Sequence, residues 1–287
     1  MLAVVHRRAM MLNGAVFPVG TPAVNEPTLT TPGPIITDAA RLLAPCRRLL
    51  VLSGAGLSAD AGVPTFRCEG GLWKENDVEQ LASPAGFLAN PELVWEWYRE
   101  RRLAVAEAAP HAGQRALALL QEHFPDGQVL MATTNEDDLL ERAGISQVIH
   151  LHGSLFDTSC ASGCGWRSRD GEDNSLSMVP CPRCGAATRP GSVWYGEPLP
   201  PGALNAIHLF DPDGCLLVGS SCIVQPVASI PSELILARRP VVEINREETP
   251  FSPVASCSLR GTAKELLPGL VDLLTSRTVR EQQHRAT

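Results

Sequence analysis

The sequence predicts an α/β protein, a doubly wound parallel sheet carrying a smaller, metal-held insertion. Compact apolar runs recur along the chain with helical patterns between them, and the runs near residues 48 to 53 and 214 to 220 end in glycine turns. One stretch, about 157 to 192, breaks the rhythm: it is rich in Ser, Gly, Cys and Pro with almost no apolar periodicity. Alternating strands and helices with glycines at strand ends suit a parallel sheet that takes a nucleotide at the carboxyl ends of its strands.

The elements follow in order. Residues 21 to 34 are rich in Pro and Thr with little to bury, so 1 to 34 read as a disordered or linker N-terminus. Residues 1 to 25 carry Arg7 and Arg8 but no acid, a mitochondrial presequence only if the chain is eukaryotic, and they lack the basic periodicity of one. The folded unit is expected from Ile35, opening with a short helix over 35 to 44. Arg48-Leu-Leu-Val-Leu-Ser53 reads as a buried parallel strand, with others at 128 to 133, 147 to 151, 214 to 220 and 240 to 245. Helices are expected over 91 to 108 and 111 to 124. The sheet domain then comprises 35 to 156 and 193 to 276, the insertion 157 to 192, and a tail 277 to 287.

With 287 residues, 44% of them apolar, the chain can bury one large core or a larger and a smaller one. The net charge of −7 and scattered Lys and Arg argue against phosphate-driven nucleic-acid binding, and no apolar run approaches the roughly 18 to 20 residues of a membrane helix. A charged small molecule is the expected partner, with neither nucleic acid nor membrane. Nine cysteines, an odd and mostly dispersed set, point to a reducing compartment and a cytoplasmic protein.

Four of those cysteines have metal-ligand spacing. Cys160 and Cys164 are followed after sixteen residues by Cys181 and Cys184. Four thiolates close a tetrahedral zinc site with no position left for water, the mark of a structural metal. Its binding would supply folding energy that the polar insertion lacks.

After the first strand, Gly54-Ala55-Gly56-Leu-Ser58-Ala59 fits the G-x-G-x-x-A fingerprint, whose glycines let backbone approach a pyrophosphate. The chain continues Asp60-Ala-Gly62-Val63-Pro64-Thr65-Phe66-Arg67 and Gly70-Gly71-Leu72-Trp73. A hydride-transfer dehydrogenase would have a helix and an acidic ribose clamp there.

This run resembles the sirtuin signature G-A-G-x-S-x-x-x-G-(I/V)-P-x-F-R. Further blocks agree in order: Asn135-Glu136-Asp137, Leu151-His152-Gly153-Ser154, the cysteine quartet, and Arg189-Pro190 leading into Val193-Trp-Tyr195-Gly-Glu197. Val218-Gly219-Ser220-Ser221, Glu243-Ile-Asn245 and Gly261-Thr-Ala263 match later blocks, so the resemblance spans about residues 36 to 275. It implies a Rossmann-like domain with a zinc module and an enzyme that consumes NAD to remove acyl groups from protein lysines. Nicotinamide and O-acyl-ADP-ribose would be the products. His152 would be the base, a role suited to a side chain whose unperturbed pKa is about 6.5. Asn135 and Asp137 would hold the ribose and carboxamide, and Phe66 and Arg67 the reacting ribose. Gly54, Ala55, Gly56, Ser58, Pro64, Thr65, Trp73, Gly219, Ser220, Ser221, Asn245 and Ala263 would complete the NAD site. His111 and His150 lack such context and read as structural.

The family pattern T-Q-N-(I/V)-D-x-L-H becomes Thr133-Thr134-Asn135-Glu136-Asp137-Asp138-Leu139-Leu140 here. These departures keep open a weakened NAD-binding scaffold, beside a simple deacetylase or an ADP-ribosyl transferase. The helix segment Trp95-Glu-Trp-Tyr98-Arg-Glu-Arg101-Arg102 resembles the Y-x-x-R element of class III sirtuins, with Ala82 as the small residue that enlarges the acyl pocket. Tyr98 and Arg101, three apart, share a helix face. Together with Val193 and Tyr195 on the substrate side, they would favour acidic acyl groups: succinyl, malonyl or glutaryl. An acetyl tip would then leave Tyr98 and Arg101 unpaired.

Overall fold

A computed structural model describes residues 33–65, 78–124, 127–169 and 178–276. Phe66, Arg67 and Trp73, together with the expected C-terminal tail and all of the expected N-terminal linker but Gly33 and Pro34, lie outside the described residues. Helix α1 (Pro34–Leu43) begins on a proline, tolerated in a first turn where no N–H is needed. The other sheet-domain elements before the insertion are β1 (Arg48–Ser53), α2 (Ala55–Ala59), α3 (Val78–Leu81), α4 (Pro84–Ala89), α5 (Pro91–Glu107), α6 (Ala112–His123), β2 (Gln128–Thr133), α7 (Leu139–Arg142) and β3 (Val148–His150). The insertion supplies β4 (Gly153–Cys160), β5 (Arg167–Arg169) and β6 (Thr188–Ser192). The chain then returns through α8 (Ala203–Phe210), β7 (Gly214–Val218), α9 (Ser229–Leu236), β8 (Val241–Asn245), β9 (Cys257–Arg260) and α10 (Ala263–Thr275).

Six strands form one sheet in the order β3-β2-β1-β7-β8-β9, every pair parallel. The order reverses between β1 and β7, so the crevice at their carboxyl ends is the topological switch point where such sheets take ligands. Alternation along each strand sends residues to opposite faces. Leu49 and Val51 of β1 join Leu216 and Val218 under α1, α6 and α10. Leu50 and Leu52 join Cys215 and Leu217 under α8 and α9.

The insertion is a second, antiparallel sheet, β5-β4-β6. A third core lies under α3 to α5, where Phe87, Trp95, Trp97 and Tyr98 meet Leu155 and Trp194. Helix α5 is pinned to this sheet by polar bonds. Trp95 Nε1 donates to the Thr188 carbonyl (3.0 Å) and Arg102 Nη2 to the Asp157 carbonyl (3.0 Å). Arg102, 1% exposed, is therefore the structural arginine of this helix.

Candidate active site

Backbone geometry builds the site first. Gly54 N donates to Val218 O and Gly56 N to Gly219 O, both at 2.9 Å, locking the turn after β1 to the end of β7. A Cβ on Gly56 would lie 2.8 Å from Gly219 Cα, and one on Gly219 would lie 2.3 Å from Leu57 N. Gly219 also has φ +59°, in the left-handed region. Only glycines fit this junction, which leaves backbone open toward the crevice.

A cavity of about 450 Å³ lies over it, and its lining includes Gly54, Ala55, Gly56, Thr65, Gly219, Ser220, Ser221 and Asn245. Asn245 Nδ2 donates to Ser220 O (3.0 Å) and ties the ends of β7 and β8 together. The same cavity reaches His152, Ala82, Tyr98, Arg101, Val193 and Tyr195. Two backbone bonds set that end: Val193 N donates to His152 O (2.8 Å) and Tyr195 N to Ala82 O (3.0 Å). Arg189 fixes the turn after β6, bonding both Glu197 oxygens (2.5 and 2.9 Å) and lying 3.4 Å over the Trp194 ring.

The loop after β2 is held rigidly. Thr133 Oγ1 accepts from Ser53 Oγ (2.9 Å) and from Asn135 N (3.0 Å), and Asn135 Nδ2 donates to Ser58 Oγ (3.0 Å). Ser58 also supports the Asp137 carboxylate, whose pKa burial raises against that bond and the Leu139 N–H. Ser58, Pro64, Asn135 and Asp137 line a second cavity of about 260 Å³, which shares Ala55, Asn135, Arg101 and Glu136 with the first. Ala263 sits in neither cavity: it is 5% exposed at the start of α10, within the main core.

His152 lines the same cavity as the glycine junction and as Ala82, Tyr98 and Arg101, the expected nucleotide and acyl ends. Burial lowers its pKa below the ordinary 6.5, partly offset by the Glu136 charge and a hydrogen bond to the Thr134 backbone. A neutral imidazole at physiological pH can accept a proton. If His152 is the base that the sequence implies, kcat/KM should rise with pH to a plateau, with its half-maximum below 6.5; a half-maximum above that value would contradict the assignment. His150 and His111 do other work. His150 bridges Asn135 O (3.0 Å) and Glu141 Oε1 (2.7 Å), and His111 Nδ1 caps α6 by accepting from Gly113 N (3.0 Å).

The acyl end differs from its expectation in one respect. Tyr98 and Arg101 are already engaged: Tyr98 OH accepts from Trp194 Nε1 (3.0 Å), and Arg101 Nη2 pairs with Glu136 Oε2 at 2.6 Å. An acetyl tip would not leave them unpaired, because Glu136 supplies a carboxylate that sequence spacing did not reveal. Arg101 is not a solvated helix residue either. Its side chain is 12% exposed, with the guanidinium 4.6 Å from the Trp97 ring centre and 5.2 Å from that of Tyr98.

Away from this cavity, Sγ atoms of Cys160, Cys164, Cys181 and Cys184 lie within 4.8 Å of one another. Cys160 and Cys184 are 3.5 Å apart and Cys164 and Cys181 3.7 Å. Zinc held by thiolates at about 2.3 Å puts sulfurs about 3.8 Å apart, so the quartet fits a structural zinc. Ser162 Oγ, unremarked in the sequence, lies 3.1 Å from Cys160 Sγ and 3.4 Å from Cys184 Sγ, placed to support those ligands.

Residues 54–226 match the Sir2 family model. An NAD-dependent protein deacylase of Mycobacterium tuberculosis is 45% identical over 240 residues, covering 79% of this chain and 98% of that one. A solved Sir2 homologue–NAD complex has a TM-score of 0.75 at 39% identity, covering 85% of this chain and 94% of that one. A Sir2 protein solved with a myristoylated histone peptide has a TM-score of 0.68 at 30% identity, covering 86% of this chain and 98% of that one. The glycine junction at the switch point, the cysteine quartet and these matches agree: the chain belongs to the Sir2 family.

Proposed function

We propose that this Sir2-family protein, an NAD-dependent protein deacylase, acts on lysines bearing acidic acyl groups such as succinyl, malonyl or glutaryl. One observation carries the reading: a single cavity runs from the glycine cradle, past His152, to Ala82, Tyr98 and Arg101. Bound there, NAD supplies an electrophilic anomeric carbon that the acyl-lysine oxygen can attack as nicotinamide leaves. Gly54, Gly56, Ser220 and Asn245 would hold the pyrophosphate and adenosine side. Asn135, Ser58 and the buried Asp137 face the second cavity, where a carboxylate suits the cationic nicotinamide ring. His152 would take a ribose hydroxyl proton on its free ring nitrogen, and Val193 and Tyr195 would align the peptide.

Arg101 supports the acidic preference. Its guanidinium is stacked on Trp97, lines the cavity and already holds a carboxylate, that of Glu136. Ala82, 4% exposed, keeps the neighbouring wall small. A reducing cytoplasm is part of the same proposal, since the four thiols of the quartet must stay reduced to hold zinc. Among the described residues no helix is long and apolar enough to cross a membrane.

Arg101→Met should lower kcat/KM for succinyl peptides by about 2 kcal/mol, roughly 30-fold, and that for acetyl peptides much less. The ratio of the two is the readout, because removing Arg101 also leaves Glu136 buried without its partner and will lower Tm. Equal losses on both peptides would withdraw the acidic preference. Tyr98→Phe is a poorer probe, since it strips the buried Trp194 N–H of its acceptor.

A further inference from the structure

We propose that Glu136 sets acyl selectivity by occupying Arg101 with the enzyme's own carboxylate, so that an acidic acyl group binds by carboxylate exchange. The proposal rests on the acidic-acyl reading of Arg101 and adds what opposes it. Glu136 stands where the family pattern has Ile or Val. Its side chain is 9% exposed and its Oε2 lies 2.6 Å from Arg101 Nη2, a short, charge-assisted bond shielded from water. The Glu136 charge also acts on Tyr98, whose pKa burial chiefly raises, and on His152, whose pKa burial chiefly lowers, so the carboxylate faces the acyl end of the cavity.

Exchange is sterically provided for. The Glu136 carbonyl accepts from Leu155 N (2.9 Å), and the neighbouring Asn135 is anchored to Ser58 and Thr133, so the backbone stays in place. The side chain, however, lines both cavities with Arg101, and the pair forms part of the wall between them. An arriving acid competes with Glu136 for Arg101 Nη2. A neutral acyl group leaves the internal pair intact. The wild-type protein should therefore discriminate between acidic and neutral acyl groups less than Tyr98 and Arg101 alone would allow.

The test uses acetyl-lysine and succinyl-lysine peptides of one sequence and the full, zinc-loaded chain. Glu136→Gln keeps the shape without the charge, and Glu136→Val restores the family's residue type should Gln perturb folding. Each is made with and without Arg101→Met, and thermal melts accompany the kinetics. Both Glu136 variants should raise the succinyl-to-acetyl ratio of kcat/KM by about tenfold or more, and Arg101→Met should erase the gain. An unchanged or lower ratio in both Glu136 variants, with Arg101→Met still lowering it in the wild type, would overturn exchange and leave the acidic pocket standing. If Arg101→Met changes the ratio in no background, the acidic-acyl reading falls and exchange with it.

Discussion

His152→Ala should reduce deacylation by about 10² to 10⁴-fold, the usual contribution of a positioned acid or base, while NAD affinity changes little. The two effects separate because the groups proposed to hold the nucleotide do not depend on the imidazole. Gly54, Gly56 and Gly219 are fixed by backbone bonds across β1 and β7, and Asn245 by its bond to Ser220. Burial depresses the pKa of His152, so the proton-accepting form prevails at neutral pH. His150→Ala makes a control of similar chemistry at a different position, between Asn135 and Glu141. Isothermal titration of NAD beside single-turnover deacylation measures both halves; near-wild-type turnover in His152→Ala would remove it from the mechanism.

Loss of the metal should be as damaging by a different route. Cys181→Ala is expected to abolish zinc binding, melt the β5-β4-β6 sheet and eliminate activity, although the quartet does not line the cavity proposed for NAD. Strands β5 and β6 have little apolar surface of their own, and Cys181, 2% exposed, is one of the four thiols placed to hold the zinc. Structural zinc sites contribute apparent binding energies on the order of 10 kcal/mol to small modules, far more than this sheet could recover by packing. Failure would spread because β4 follows His152 directly and Val193, just after β6, bonds the His152 carbonyl. Elemental analysis should find one zinc per wild-type chain and none in Cys181→Ala, with a lower Tm and new proteolytic cuts between about 157 and 192. Folded, active protein without zinc would refute this account.

The large sheet was legible because strands buried on both faces are nearly continuous apolar runs, as in Leu49 to Leu52. Strand β2 has the expected bounds, while β3 is trimmed at each end to Val148–His150, although Leu151 N still bonds Thr133 O. β7 stops at Val218 because Gly219 turns toward the crevice. β9 gave no apolar signal: Cys257–Arg260 is a four-residue edge strand with only Leu259 fully buried. The insertion's sheet was equally silent, since strands such as Arg167–Arg169 and Thr188–Ser192 owe their order to hydrogen bonds and the thiolate cluster.

At the site, glycines, thiolates and His152 could be read because their chemistry is local to a motif. The Arg101–Glu136 pair joins residues 35 apart in the chain, on α5 and on the loop after β2, so no spacing rule announces it. A buried Glu243 was hidden in the same way within β8. It is satisfied by Thr249 and Ser252 on the following loop and by Ser258 and Arg260 on β9.

The most direct test of the central claim follows nicotinamide release from NAD with and without acyl-lysine peptides. The account predicts release only when an acyl peptide is present, matched mole for mole by free lysine peptide and O-acyl-ADP-ribose, and faster with succinyl than with acetyl peptide. Formation of NADH, or no nicotinamide release with any peptide in an acetyl, malonyl, succinyl and glutaryl panel, would contradict it.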